Sequence, residues 1–281
     1  MKLIECPRDA MQGLPDFVPT SLKVHYLNLL LNVGFDTLDF GSFVSPKAIP
    51  QLRDTAEVLS QLDLTTSFTK LLAIVANLRG GEDACRFAEI DYLGFPLSVS
   101  ETFQLRNTNK TIAQSMVEVA QLQELCLRHQ KTLVIYLSMG FGNPYGDPYS
   151  PQLVIDFTGQ LVEMGITVIA PSDTIGSSAP DTIIPLFRAL IPAFPTIEFG
   201  AHLHATPQTV FQKIQAVHEA GVQRIDGALR GFGGCPMAKD DLTGNLPTEQ
   251  IIIQLEGYSI DLQLNKEALQ EALLFSQNIF S

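Results

Sequence analysis

Residues 132–170 read TLVIYLSMGFGNPYGDPYSPQLVIDFTGQLVEMGITVIA. Thr132–Leu137 is a short run of β-branched and apolar residues, the composition of a buried strand. Gly140–Pro151 is dense in Gly and Pro and reads as a long loop. Ser150-Pro151 pairs a helix N-cap with proline at the first helical position, and Gly165 follows the last turn. A second apolar run, Thr167–Ala170, comes next. Strand, helix, strand in that order implies two parallel strands joined by a helical crossover.

The same alternation extends in both directions. Strand-like runs stand at Leu3–Cys6, Thr37–Phe40, Thr69–Val75, Glu89–Leu93, Thr196–Ala201 and Arg224–Ala228. Helix-like stretches lie near 20–33, 48–62, 80–88, 111–130, 180–191, 206–220, 247–257 and 265–279. Gly34 past the first helix and Thr206-Pro207 with Gly221 repeat the start and stop signals. Eight such units in 281 residues fit an α/β fold of the (β/α)8 TIM-barrel type. No G-x-G-x-x-G follows the first strand, which weighs against a doubly wound open sheet. No linker-like composition shift divides the chain, so residues 1–281 read as a single catalytic domain with a C-terminal helical cap from about 257 to 281.

Apolar residues make up 46% and charged residues 17%, so the chain has enough apolar surface to fold. Eighteen Lys and Arg against 30 Asp and Glu give a net charge of −12. That balance excludes nucleic acid and anionic membrane as general partners and leaves small molecules. Cys6, Cys85, Cys126 and Cys235 form no C-x-x-C pair, which argues against a zinc ribbon and a disulfide scaffold and suits a reducing cytoplasm. Glu5 breaks the first apolar run, so no signal peptide is read, and no run approaches membrane-spanning length.

In such a barrel, chemistry sits where the strands end. Arg8-Asp9, Asp39, Asp173-Thr174, His202-Leu203-His204 and Gly231–Cys235 all fall there. Residues i and i+2 of a strand share a face, so His202 and His204 either chelate a metal together or divide into one core and one surface histidine. Asp9 either adds an oxygen ligand, which biases the site toward Mg or Mn, or caps a helix or pairs with Arg8. Arg8 matches a developing enolate or carboxylate, or is an ordinary surface charge. Cys235 is either a small buried apolar residue or an acid–base group on a glycine-hinged loop.

Pro7-Arg8-Asp9-Ala10-Met11-Gln12 resembles the R-D-x-x-Q segment of the 3-hydroxy-3-methylglutaryl-CoA lyase family. Ser42-Phe43-Val44-Ser45-Pro46-Lys47 is similar to that family's S-F-V-S-P-K run without a change. Ser172-Asp173-Thr174-Ile175-Gly176 resembles its G-D-T-I-G. His202-x-His204, Gly231-x-Gly233-Gly234-Cys235-Pro236 and Gly244-Asn245-Leu246-Pro247-Thr248-Glu249 follow in the family's order. The resemblance implies a divalent metal, Mg2+ or Mn2+, on Asp9, His202, His204 and Asn245. It implies Arg8, Asp39, Asp173, His202 and Cys235 as catalytic groups, and Gln12, Ser42 and Thr174 as substrate contacts. It further implies an acyl-CoA substrate, cleavage to acetyl-CoA and acetoacetate, and a homodimer. Asp39 or Asp173 would act as base, with His202 as shuttle. Lys47, Arg79, Arg106 and Lys110 are candidate partners for CoA phosphates.

The sequence departs from the family in three places. Asp39 stands where Glu is usual, Ala205 where Asp follows the histidines, and the stretch from Cys235 to Asn245 is one residue longer than in the animal enzymes. These leave two rival readings. One is a related aldolase or acetyl-CoA/2-oxo acid condensing enzyme, and the other is a silent barrel that acts as a binding subunit.

Overall fold

Parallel strands are buried on both faces and need helices to cover them, and the chain supplies eight such strands. The computed structural model describes residues 1–233 and 243–280. Its parallel strands are β1 (Lys2–Glu5), β2 (Thr37–Ser42), β3 (Lys70–Ile74), β4 (Ile90–Ser98), β5 (Thr132–Ser138), β6 (Val168–Asp173), β7 (Glu198–Ala205) and β8 (Arg224–Gly227). Each pairs with its sequence neighbour, β8 pairs with β1 and β6 pairs with β7, so the sheet closes into a TIM barrel. A two-residue strand, β9 (Gly244–Asn245), runs antiparallel to the end of β7, with Asn245 opposite His204.

The helices are α1 (Pro7–Gln12), α2 (Thr20–Val33), α3 (Thr55–Leu59), α4 (Leu78–Ala84), α5 (Glu101–Thr108), α6 (Ile112–Arg128), α7 (Pro151–Glu163), α8 (Pro180–Ala193), α9 (Val210–Glu219), α10 (Thr248–Gly257) and α11 (Lys266–Phe275). Ser150 accepts a hydrogen bond from the Leu153 amide and caps α7, with Pro151 in the first turn as its sequence implies. Thr206-Pro207 does not start a helix. Thr206 folds into a turn closed by the Thr209 hydroxyl, and α9 begins at Val210. The expected helix 48–62 is a short 3-10 turn at Pro50–Leu52 followed by α3. α1 and α5 are additions to the sequence reading, as is the extension of β4 through Pro96 to Ser98. The C-terminal cap is α11, which starts at Lys266 and packs on α2. No described helix is long and apolar enough to cross a membrane.

Alternation divides the apolar residues into two layers. Leu71, Ala73, Leu93, Phe95, Leu133 and Ile135 face the helices, in the larger core. Leu72, Ile74, Tyr92, Val134, Tyr136, Val168 and Ala170 fill the barrel interior. Burying those strands stabilises the fold by roughly 25 cal/mol per Å2 of apolar surface.

Glu5, at the C-terminal end of β1, is fully buried and has no cationic partner among the described residues. It accepts hydrogen bonds from the Leu229 amide (2.9 Å) and the Thr248 hydroxyl (2.5 Å), tying the exit of β8 to the start of α10. Burial pushes its carboxyl up to about 8, against the pull of those two donors. The folded value therefore lies above the ordinary 4.5, so this group costs stability progressively as pH rises between the two values. Calorimetry should show Glu5→Gln and the unaltered protein melting close together at about pH 5. By about pH 8 the Gln variant should melt several degrees higher, and a gap that does not widen would count against this account.

Candidate active site

The site is built at the C-terminal ends of β1, β6, β7 and β8. Pro7 sets the first turn of α1 directly after β1, which brings Arg8 and Asp9 over the barrel mouth. A guanidinium buried there needs partners, and Arg8 has a fork of them. Its Nε donates to Asp39 Oδ2 at 2.9 Å and to Oδ1 at 3.1 Å, and Nη2 donates to Oδ2 at 2.5 Å. Nη1 donates to Asp9 Oδ1 at 3.0 Å and to Gln12 Oε1 at 2.9 Å. Of the five N–H bonds of the side chain, one on Nη2 stays uncommitted among the described residues.

Asp9 accepts from Arg8 and from Gln12 Nε2 (2.9 Å) on one oxygen, and from Asn245 Nδ2 (2.7 Å) on the other. Burial works to raise its carboxyl, but Arg8, His202 and His204 outweigh it and hold Asp9 below the ordinary range. Asp39 lies deeper. Burial raises it to about 6 even with Arg8 pulling it down. Gly233 adopts a positive φ of 92° beside this group. A Cβ there would sit 2.7 Å from Asn245 Nδ2 and 2.9 Å from the main chain of Asp9 and Ala10. Only glycine lets the backbone lie that close.

His202 and His204 occupy alternate, inward positions of β7, with ring centroids 5.4 Å apart. His204 Nδ1 lies 3.1 Å from the Thr174 carbonyl. A carbonyl only accepts, so Nδ1 carries the proton and Nε2 keeps a lone pair. That Nε2 is buried and has no partner among the described residues. Burial and the neighbouring His202 lower this imidazole to about 4, which keeps it neutral. His202 Nδ1 lies 3.2 Å from Asp226 Oδ2 on β8. Burial alone would lower His202, but Asp226 overrides it and raises the ring. One donor atom from each of Asp9, His202 and His204 falls within 4.8 Å of the others. An orphaned imidazole nitrogen, a second imidazole and a carboxylate in one cluster fit a divalent cation.

These residues floor a cavity of about 400 Å3, walled by Val44, Ile49, Ile74 and Pro96. Arg8, Asp9, Gln12, Thr174, His202 and His204 line it, as the sequence implies. Four expected residues among the described ones are not in its lining, and one of them, Asn245, reaches the site only through its hydrogen bond to Asp9. Asp39 stands behind Arg8 and serves to hold it. Asp173 faces the opposite side of β6 from Ser172 and Thr174. There it takes hydrogen bonds from the Ser178 hydroxyl (2.5 Å) and from fully buried Lys213 (2.8 Å). Ser42 turns its hydroxyl to the Ile74 carbonyl and the Val44 amide, shaping the loop after β2. Cys235 lies outside the described residues. Sequence reasoning missed Asp226, although Arg224-Ile225-Asp226 carries polar residues at alternate positions of a strand, the pattern of an inward row. Tyr136 and Ser138 on β5 were missed as lining residues for the same reason.

Fold and mouth together define a (β/α)8-barrel enzyme with donors for a divalent cation. A family model described as HMGL-like matches residues 3–275, and the chain belongs to that family. The hydroxymethylglutaryl-CoA lyase of Bacillus subtilis is 33% identical over 266 residues, 95% of this chain and 88% of the relative. The mitochondrial enzyme of that name from Arabidopsis thaliana is 31% identical over 92% of this chain, which spans 55% of the longer plant protein. The solved HMG-CoA lyase of Bacillus subtilis matches with a TM-score of 0.93 at 30% identity, covering 100% of this chain and 94% of its own. That of Acinetobacter baumannii, in complex with coenzyme A and 3-methylmalate, matches with a TM-score of 0.90 at 29% identity, covering 99% and 90%.

Asp39→Asn should lower stability by about 3 kcal/mol in urea unfolding, because it leaves the buried Arg8 guanidinium short of its main counter-charge. An unchanged midpoint would show that Asp9 and Gln12 hold Arg8 unaided.

Proposed function

We propose that the chain is a carbon–carbon lyase that cleaves 3-hydroxy-3-methylglutaryl-CoA to acetyl-CoA and acetoacetate. The observation that carries this is the meeting of Arg8, Asp9, His202 and His204 on the floor of one apolar-walled cavity. The relatives that bear the name of this activity, and the relative solved with coenzyme A, support it. Asp9, His202, His204 and Asn245 would hold the divalent ion, Mg2+ or Mn2+. Bound there, that ion supplies the Lewis acidity that lowers the pKa of a substrate hydroxyl.

The chain's own residues then do two things. The apolar walls Val44, Ile49, Ile74 and Pro96 lower the local polarity beside the reacting carbons, which strengthens the charge interactions inside. Arg8 neutralises the charge that develops. As the tertiary hydroxyl loses its proton, the bond pair between C2 and C3 passes to the thioester side as an enolate, and C3 becomes the ketone of acetoacetate. The free Nη2 N–H of Arg8 supplies a hydrogen bond to that enolate oxygen, from a guanidinium that Asp39 keeps from turning. One proton returned to carbon completes acetyl-CoA, with Cys235 as the proposed donor. No oxidant or reductant is needed. Asp39 and Asp173 are committed to Arg8 and Lys213, so the base is not assigned to either.

Of the four cations considered for the CoA phosphates, Arg106 at the end of α5 lines the cavity rim, where it stacks over Tyr145 at 4.6 Å. Lys110 is paired with Glu118 at 2.5 Å. Lys47 and Arg79 are exposed and are not among the lining residues. A homodimer and a cytoplasmic setting belong to the same reading. The family resemblance supports the first, and the scarcity of cysteines supports the second.

The purified chain, supplied with Mg2+ or Mn2+, should release acetoacetate from the hydroxymethylglutaryl thioester. Arg8→Gln should lose about 10²–10³ in kcat or more while it still binds the cation. Activity confined to other hydroxyacyl thioesters would defeat the substrate assignment, and wild-type turnover in Arg8→Gln would defeat the enolate role. Arg106→Ala should raise KM several-fold with kcat nearly unchanged, since it removes a contact made equally in ground and transition states.

A further inference from the structure

Below the mouth, the barrel interior should be apolar, yet a file of charges runs up through it. Lys2, at the start of β1 and partly exposed, donates to Glu198 Oε2 at 2.6 Å. Glu198 Oε1 lies 3.5 Å from Nη1 of Arg224. Nε of Arg224 lies 3.8 Å from Asp226 Oδ1, and Asp226 Oδ2 meets His202 Nδ1 at 3.2 Å. Positive and negative groups therefore alternate from the N-terminal face of the barrel to the imidazole of the site.

Arg224 is the link that physical chemistry least expects. Its side chain is fully buried, and none of its three nitrogens has a hydrogen-bond partner among the described residues. Leaving a guanidinium so poorly satisfied costs several kcal/mol, and a packed apolar residue would cost less. The backbone makes room for it all the same. Gly200 sits opposite Arg224 in the β7–β8 register, and a Cβ there would come 3.2 Å from Arg224 Cδ and 3.4 Å from Cγ. The Tyr92 ring, its centroid 5.7 Å from the guanidinium carbon, forms another wall. A residue that disfavours folding, in a pocket cleared to admit it, points to a role above it. Asp226 links it to His202.

We propose that Arg224 is a positioning residue for the cation site. It fixes the Asp226 carboxylate with one oxygen toward itself and the other toward His202 Nδ1. His202 is thereby held with Nε2 on the cavity side, beside Asp9 and His204. Glu198, itself held by Lys2, anchors the other side of the Arg224 guanidinium and completes the file. This rests on the cation reading of the mouth and extends the site two residues deeper into the barrel.

Calorimetric titration of Mn2+ into substrate-free protein tests it. Arg224→Met should weaken Mn2+ binding about 10–100-fold, the usual cost of losing an outer partner of a ligating histidine. Arg224→Lys, which restores a cation opposite Asp226, should recover most of that loss. If Arg224→Met alone does not fold, Glu198→Gln combined with Arg224→Met removes one of the two carboxylates that Arg224 faces and should show the same weakening. Ile169→Ala, a cavity variant on the helix-facing side of β6, is the control. It should lose stability and keep its Mn2+ affinity. Wild-type affinity in a folded Arg224→Met protein, alone or combined, would overturn the inference and leave the lyase reading standing. Failure of the unaltered protein to bind Mn2+ would overturn the cation reading, and this inference with it.

Discussion

The structure depends on one constraint: a charge taken inside a barrel must be met there by another. Arg8 is the case on which the site turns. Its guanidinium is almost fully buried at the mouth, and Asp39 and Asp9 answer it from two directions. Asp39 comes from the neighbouring strand and Asp9 from the same helix, so satisfying Arg8 also fixes where Asp9 stands. Asp9 in turn receives Asn245, which comes from the far end of the chain. One buried cation thus organises residues from three separate segments before any ligand arrives. The cost of breaking such a pair, several kcal/mol, is comparable to a domain's whole margin of stability.

The outer face of the same strands obeys the same constraint. Lys213, on α9 and fully buried, donates to Asp173 and to the carbonyls of Gly176 and His204. That joins the ends of β6 and β7 from behind, while His204 Nδ1 joins them from within through the Thr174 carbonyl. His204 is held on both sides, so its free nitrogen has little choice of direction. Asp173 belongs to this bracing, although its neighbours Ser172 and Thr174 line the cavity.

Much of the fold was legible because its signals are local. Ser150-Pro151 and Gly165 mark α7, and apolar runs mark the eight strands within a few residues. What failed was also local. Thr206-Pro207 has the composition of a helix start, yet the Thr209 hydroxyl turns back to the Thr206 amide and closes a turn first. The site was legible where strand alternation could be applied, as with His202 and His204. It was misread where alternation was available but not used, as with Asp173. Asp39 is a different matter. It is inward as expected, but whether an inward carboxylate meets a substrate or a neighbouring arginine depends on the path of α1, and no spacing rule fixes that. Asp226 went unnoticed because its strand has no familiar motif, though its carboxylate lies 3.2 Å from His202 Nδ1.

The antiparallel pairing of β9 with β7 bears on the geometry of the site. Asn245 faces His204 across a rung of main-chain pairing. Asn245 is therefore located by the strand that carries His202 and His204. The main-chain ladder, and not a side-chain contact alone, sets where Asn245 stands beside Asp9 and His204.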